Sequence, residues 1–411
     1  MSSKKKAADA KSDGKVALVP RLRFPEFRGA EGWTEERLGR FLTESRLAGS
    51  KGDVAKKITV KLWGNGVFEK HEATQGSVNT QYYRRKAGQF IYSKLDFLNQ
   101  AFGIVPKHLD GFESTVDLPS FDISRGMNPV FLLEYVKRKA FYERVGEAAD
   151  GSRKAKRIQV DTFLECMVAL PSPAEQQKIA ECLSSADELI AAQARKVDAL
   201  KTHKKGLMQQ LFPREGESQP RLRFPEFQND GYWQEKLLGE IAENLDNRRV
   251  PITSSSRKAG EVPYYGASGV VDYVEGFLFD EDLLCVSEDG ANLVARTNPI
   301  AFSISGKTWV NNHAHVLRFE HVCSQKFVEV YLNSIKLDDY LTGMAQPKLN
   351  KAMLDRIPIS HPRVAEQQRI ASCLSSLDAL ITAETKKLET LKRHKRGLMQ
   401  QLFPSPMNAD V

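Results

Sequence analysis

Apolar residues recur at spacings of three and four along two stretches of this chain. One runs from Ile179 through Leu183, Ala186, Ile190, Val197, Leu200 and Leu207 to Leu211; the other from Ile370 through Leu374, Leu377, Ile381, Leu388, Leu391 and Leu398 to Leu402. The period predicts two long amphipathic helices, and the narrow stripe suits a helix partner better than a broad core. Ile179, Leu183, Ile190, Val197, Leu200 and Leu207 are expected to form one side of a coiled-coil seam. Ile370, Leu374, Leu377, Ile381, Leu388, Leu391 and Leu398 form the other. Polar residues interrupt both stripes at matching places, Gln193 and Lys204 in the first, Glu384 and Lys395 in the second. At about 1.5 Å per residue each helix is a rod of roughly 50 Å.

The two stretches are copies. Residues 174–213 and 365–404 align without a gap and agree at 27 of 40 positions. A second repeat precedes them: PRLRFPEF occurs at 20–27 and again at 220–227, followed by the matched pairs Trp33 and Trp233, Leu38 and Leu238, Gly39 and Gly239. The openings are offset by 200 residues and the helices by 191, so the intervening segment is nine residues shorter in the second half. Between opening and helix, residues 40–157 and 240–348 hardly resemble each other. A frame kept twice around two divergent inserts points to two separate recognitions on one scaffold.

Each insert reads as a β-rich α+β module of domain size. The first carries short β-type runs, ITVKLW at 58–63, GQFIYS at 88–93 and AFGIV at 101–105, then a helix over about 128–147. In the second, VPYYGASGVVDYV, DLLCVSEDGANLV, AFSISGKTWV and HAHVLRF read as strands separated by Gly, Asn and Asp turns, followed by a helix over about 325–341. A proline-containing turn precedes each long helix; Glu175 or Glu366 sits in the first turn and lysines and arginines crowd the far end, as the helix dipole favours. The chain thus divides into a disordered basic tail at 1–19, a first recognition domain at 20–157, and an approach segment with the first spacer helix at 158–213. A linker at 214–219, a second recognition domain at 220–348, its approach segment and spacer helix at 349–404, and a frayed end at 405–411 complete it.

Composition narrows the class. No run of 18 apolar residues occurs, so no segment is expected to span a membrane, and the first residues lack the apolar stretch of a signal peptide. Cys166, Cys182, Cys285, Cys323 and Cys373 show no paired metal spacing and read as reduced thiols of a cytoplasmic protein. Lys and Arg exceed Asp and Glu by 60 to 52, a net charge of +8, which favours a polyanionic partner without requiring one.

Catalytic patterns fail on inspection. Gly306-Lys307-Thr308 lacks the glycine five residues earlier that a phosphate loop needs, because Ala301 stands there, and it reads as a turn between strands. His313 and His315 share a strand face but have no third ligand near in sequence. No Asn-Pro-Pro-Tyr-like tetrapeptide, methyl-donor glycine loop or nucleophile signature occurs. What remains are polar, basic and aromatic residues on loops of the inserts. Arg84, Arg85, Lys86, Tyr92, Lys94 and Asn99 cluster in the first, and Tyr265, Ser268, Asn292, Lys307, Asn311, Asn312 and His313 in the second; Gln346 and Lys348 join them from the segment before the second helix. Such groups suit DNA, with Lys and Arg meeting phosphates and Asn, Ser or Arg reading base edges. From the residues alone, a coiled-coil assembly scaffold and a stand-alone DNA-modifying enzyme remain alternatives.

The duplicated helix ending in KKGLMQQLFP or KRGLMQQLFP, the RLRFPEF openings, YYGASG, WVNNHAHVL and QPKLNKAMLDRIPI resemble the specificity subunit of type I restriction-modification enzymes, over nearly the whole chain from about residue 20. The approach segment of the first half, RKAKRIQVDTFLECMVAL, departs from the QPKLNK pattern. The resemblance implies an α+β fold in which two β-rich target-recognition domains, related by a pseudo-two-fold repeat, are separated by two long helices forming an antiparallel coiled coil. It implies a non-catalytic chain that reads a split, asymmetric double-stranded DNA target and assembles with two methyltransferase subunits and with restriction subunits. S-adenosylmethionine, ATP and Mg²⁺ are then expected on those partners and no cofactor in this chain. A rod of roughly 50 Å exceeds a DNA turn of about 34 Å, so helix length is expected to act as a ruler for the gap between half-sites.

Overall fold

The computed structural model describes residues 18–71, 76–147, 157–214, 217–343 and 346–404. The calls on the tail at 1–17, on 215–216 of the linker and on the end at 405–411 lie outside the described residues. The chain divides into two compact units, residues 1–193 with 387–411, and residues 194–386.

In the first unit β1 (Thr34–Arg37) pairs antiparallel with β11, described below, while β2 (Leu42–Ser45), β3 (Ala48–Lys51), β4 (Ile58–Val60), β5 (Val67–Glu69), β6 (Gln81–Arg84), β7 (Phe90–Tyr92), β8 (Phe102–Ile104), β9 (Glu113–Ser114) and β10 (Ser120–Ile123) build the insert. The main sheet runs β2-β10-β7-β8, with β3-β6-β9 and the β4-β5 hairpin beside it. Helices α1 (Pro129–Val136), α2 (Lys139–Glu147) and α3 (Val160–Leu164) lead to β11 (Met167–Leu170) and the long α4 (Pro173–Leu211). One helix was expected over 128–147; two form. Asn128 caps α1 by accepting from the Val130 and Phe131 amides, and Pro129 fits the first turn. The break follows from Arg138, which turns out of the helix to donate to the Pro404 carbonyl at 2.6 Å and lies over the Tyr135 and Phe403 rings.

In the second unit β12 (Gln234–Leu237) pairs with a late strand, and α5 (Leu238–Ile241), β13 (Glu243–Asn244), β14 (Ala259–Gly266), β15 (Gly269–Val274), β16 (Phe279–Asp280), β17 (Leu283–Ser287), α6 (Asn292–Ala295), β18 (Ala301–Ile304), β19 (Lys307–Val310) and β20 (Ala314–Arg318) follow. Helices α7 (Val322–Ser334) and α8 (Lys351–Asp355), the strand β21 (Pro358–His361) that pairs with β12, and α9 (Val364–Leu402) end the order. Its main sheet, β13-β20-β17-β18, repeats the first unit's order, and a second sheet runs β15-β14-β19-β16. AFSISGKTWV is therefore two strands in different sheets, and Gly306, at φ +69°, makes the turn between them. Helix α7 stops short of 341 because Arg296 donates to the Leu332 and Ile335 carbonyls and closes its end.

The frame explains its own repetition. Arg23 donates to both oxygens of Glu175 at 2.8 and 2.7 Å, and Arg223 makes the same two bonds to Glu366. The remaining guanidinium hydrogens go to the carbonyls of Ala30 and Glu31, or of Asp230 and Gly231. The opening motif is thus a clamp on the first turn of a long helix. Gln176 and Gln367 then tie that turn to the Pro171 and Pro362 carbonyls.

Within each unit the long helices run antiparallel. In the first, Ile179, Ala180 and Leu183 share a core with Leu398, Leu402 and Phe403, around Trp33 and Phe131. In the second, Leu207, Leu211 and Phe212 meet Ile370, Leu374 and Leu377 around Trp233 and Phe327. Every residue assigned to the seam is buried or half-buried, including Ile190, Val197, Leu200, Ile381, Leu388 and Leu391. Three of the polar steps form ion pairs: Lys395 with Asp187 in one unit, Lys204 with Asp378 and Glu384 with Lys196 in the other, each at 2.6 Å. Lys204 and Lys395 are copies of one position, and so are Asp187 and Asp378.

Candidate nucleic-acid interface

Three loops singled out in the second insert come together. Behind β17 the chain runs through Glu288, Asp289 and Gly290; ahead of β20 it passes Asn311, Asn312 and His313; ahead of α8 it passes Gln346, Pro347 and Lys348. Backbone hydrogen bonds lock them: Glu288 N–H to the His313 carbonyl at 2.9 Å, Leu349 N–H to Glu288 at 2.7 Å and Gly290 N–H to Pro347 at 3.1 Å. The YYGASG turn joins the group. Asn311 N–H donates to the Tyr265 carbonyl at 3.0 Å, and the Ser287 hydroxyl donates to the Ala267 carbonyl.

Beneath the loops lies a polar network that fixes their shape. His315, 1% exposed, faces Asp246 Oδ2 with Nδ1 at 2.5 Å and the Leu349 carbonyl with Nε2 at 2.8 Å. The ring is thus held between a carboxylate and a backbone carbonyl. Asp246 also accepts from the Val316 amide at 3.0 Å, and Glu288 accepts from Arg249 at 2.8 Å and lies 3.2 Å from Lys348. Burial, the largest single influence, pushes the Asp246 and Glu288 carboxyls up, but His315, the Val316 amide and Arg249 acting together on the first, and Arg249, His315 and Lys348 together on the second, hold both below the usual carboxylate range. Asp246, Glu288 and His315 are the one group of three potential metal ligands among the described residues. Arg249 and Lys348 already supply its counter-charge, so the arrangement is that of an ion-pair network.

Above the network the exposed side chains are Ser268, Asn312, His313, Gln346 and Lys348. Asp289 Oδ2 lies 2.8 Å from His313 Nδ1 and holds the ring in place. A hydroxyl, two amides, an imidazole and an ammonium on a braced surface offer the mixed donors and acceptors that base edges require. The other candidate residues of this insert lie elsewhere or are spent on internal bonds. Asn311 is buried, and its side-chain oxygen accepts from the His313 amide, shaping the turn. The Asn292 amide is spent closing the loop to Thr297 and Asn298. Tyr265 is half-buried against Phe302, and Lys307 stands at the opposite end of β19, over the Phe277 ring.

In the first insert Arg85 and Tyr92 are likewise interior. Arg85, 2% exposed, donates to the Ser114 and Ser120 hydroxyls and to the Ser45, Thr115 and Leu118 carbonyls, and burial lowers its pKa to about 10. Tyr92 is fully buried and donates to the Ile158 carbonyl. Arg84 and Lys86 are exposed, whereas Lys94 and Asn99 are half-exposed on the loop after β7. The tip of the β4-β5 hairpin rests on that loop: Trp63 N–H donates to the Asn99 carbonyl at 2.7 Å, and Trp63 takes φ +59°, a strained value for a bulky residue, with its indole 63% exposed.

The departure of the first approach segment is one of side chains, not of backbone. Ile158 N–H bonds the Lys94 carbonyl as Leu349 N–H bonds that of Glu288, and Lys94 N–H bonds the Asp117 carbonyl as Glu288 N–H bonds that of His313. Asn350 caps α8, accepting from the Met353 amide, while Gln159 makes no such bond to α3. Sequence reading missed Asp117 and Arg157; the 191-residue offset of the helices, carried upstream, sets Arg157 under Lys348.

Residues 231–393 match the family described as type I restriction modification DNA specificity domain. The chain is 37% identical over 145 residues to a putative type I restriction enzyme specificity subunit of Haemophilus influenzae; the match covers 35% of this chain and little more than a third, 37%, of that relative. To the type I restriction enzyme MjaVIII specificity subunit of Methanocaldococcus jannaschii it is 26% identical over 416 residues, covering 92% of this chain and 95% of the relative. The crystal structure of a type I restriction-modification system S subunit from M. genitalium shares the fold, with TM-score 0.61 at 15% identity over 94% of this chain and 100% of that one.

Proposed function

From its similarity to the specificity subunits of type I restriction-modification enzymes, we propose that this chain belongs with them and reads a split, asymmetric double-stranded DNA target, one half through each β-rich module. The observation that carries the reading is the braced loop surface of the second unit, where Asn312, His313 and Lys348 stand exposed over a buried ionic network. Rigid support beneath mixed donors and acceptors is what base discrimination needs. The chain itself performs no chemistry. It scaffolds two methyltransferase subunits, which hold S-adenosylmethionine, and restriction subunits that use ATP and Mg²⁺, and it works in the cytoplasm. No described helix is long and apolar enough to cross a membrane.

Mapping DNA methylation in host cells with and without the gene tests the assignment. Loss of one bipartite motif on deletion is the expected result. Binding competition between DNA of that motif and scrambled DNA supplies the second arm. Equal, salt-sensitive affinity for both would favour a scaffold that never reads sequence, and turnover by the purified chain alone with DNA, S-adenosylmethionine, ATP and Mg²⁺ would favour an enzyme. Replacing Asn312 and His313 together by Ala is expected to relax one half-site, at about 1–3 kcal/mol per lost base contact.

A further inference from the structure

The two inserts differ in sequence, yet their main sheets share strand order and the loops after the third strand are held by the same backbone bonds. Ser93 N–H donates to the Ala101 carbonyl at 3.0 Å and Ser287 N–H to Ile300 at 2.7 Å. Lys94 N–H donates to Asp117 at 2.9 Å and Glu288 N–H to His313 at 2.9 Å; Ile158 N–H donates to Lys94 at 3.1 Å and Leu349 N–H to Glu288 at 2.7 Å. Each loop is also pinned from below by a buried side chain on the carbonyl of the residue before α3 or α8's turn, Tyr92 on Ile158 at 3.1 Å and His315 on Leu349 at 2.8 Å. These bonds put Lys94, Asp117 and Arg157 where the second unit has Glu288, His313 and Lys348.

Resting on the function proposed above, we infer that Arg157, Asp117 and Lys94 form the base-reading site of the first module, a site in double-stranded DNA recognition that uses a different charge pattern from the second. The Arg157 guanidinium lies 3.5 Å from Asp117, with the two side chains 50% and 44% exposed. The aspartate orients the guanidinium without burying it. An arginine so presented has a planar fork that matches the O6 and N7 acceptors of guanine, and an exposed aspartate can accept from the amine of the cytosine. Lys94, half-buried on the same loop, supplies a third donor. The second module sets the His313 imidazole in place of the carboxylate and an ammonium at Lys348 in place of the fork. One backbone platform thereby serves two different half-sites.

The test is a methylation map of cells carrying the full chain with Arg157→Gln, compared with Asp117→Asn and with Lys348→Gln. Arg157→Gln is expected to relax one G·C position in one half of the motif, roughly 5- to 150-fold in preference, and Asp117→Asn to act in the same half. Lys348→Gln should act in the other. Binding of defined DNA by purified chain whose fold is checked by circular dichroism gives the same comparison where methylation is lost altogether, and Arg157→Lys, which keeps charge but not the fork, should relax the same position. A bipartite motif left unchanged by all Arg157 and Asp117 variants overturns this inference alone. Absence of any bipartite motif with the unaltered chain overturns the parent reading instead.

Discussion

Replacing Arg223 by Ala would remove the clamp between the repeated opening and the start of α9. The Glu366 side chain is 1% exposed and Arg223 12%, so the variant leaves a carboxylate inside the protein without its cation. Two charge-assisted bonds, at 2.8 and 2.7 Å, are lost together. Breaking a buried pair in this way costs about 3–5 kcal/mol, most of it the desolvation of the group left behind. The Asp230 and Gly231 carbonyls, which also lose a donor, lie at or near the surface and exchange it for water at little cost. The hydrogen bond to Glu366 dominates the raised pKa of Arg223, so the arginine stays charged across any accessible pH and the comparison can be made near neutrality. Hydrogen exchange of the amides in the first turns of α9, read as opening free energy, is the assay. Arg223→Ala should open that segment by the amount above, Glu366→Gln by less, and Arg223→Met with Glu366→Leu should recover most of the loss, since an apolar pair of similar volume leaves no buried charge. Arg23→Ala should do the same at the start of α4. A single-variant loss under about 1 kcal/mol, the range of an exposed pair, or a double variant no better than the single, would refute the clamp.

Arg85→Met should take a buried donor from the Ser114 and Ser120 hydroxyls and from the Ser45, Thr115 and Leu118 carbonyls, lowering the stability of the first module by about 3 kcal/mol in chemical denaturation; normal stability with altered base preference would return Arg85 to the DNA surface. Because the Asp246 and Glu288 carboxyls are held low, their contribution to stability is fully present above the ordinary carboxylate value of about 4 and is lost as pH falls through their lowered values. Hydrogen exchange in acid should therefore loosen the loops at 311–315 and 346–350 before the loop after β7, whose pin is the neutral Tyr92 bond to Ile158; simultaneous loosening would count against it. Adding one heptad to both α4 and α9 should lengthen the unspecified gap in the methylated motif and leave each half-site unchanged, and an unaltered gap would remove the ruler.

The long helices were legible because a period held over many turns leaves little else for the segment to become, and the prolines at 213 and 404 mark where they end. The breaks inside the inserts were not. Arg138 leaves its helix for a carbonyl 266 residues away, and Ser305 and Gly306 pass the chain from one sheet to another, so neither is settled by its neighbours in sequence. The site was half legible. Asn312, His313, Gln346 and Lys348 stand on the surface as their composition suggested, but an arginine between an arginine and a lysine looks the same in sequence whether it faces solvent or, like Arg85, buried hydroxyls and carbonyls. Trp63 is a further case: nothing in KLWGNG announces that the tryptophan takes a left-handed conformation together with Gly64.

The contrast between constant frame and variable inserts follows from which atoms make the bonds. The clamp at Arg23 and Glu175, and again at Arg223 and Glu366, is made by side chains, so either substitution breaks it and the letters must repeat. The platform under the loops is made largely by peptide groups, which every residue except proline supplies equally. Lys94 and Glu288 can therefore exchange charge, and Asp117 and His313 exchange chemistry, while the bonds that position them stay as they are. Even the buried pin differs, coming from Tyr92 on β7 in one module and from His315 on β20 in the other, yet it reaches the equivalent carbonyl. A chain built this way can change the side chains that each module presents on its loops by surface substitution alone, without touching the residues that keep either unit folded.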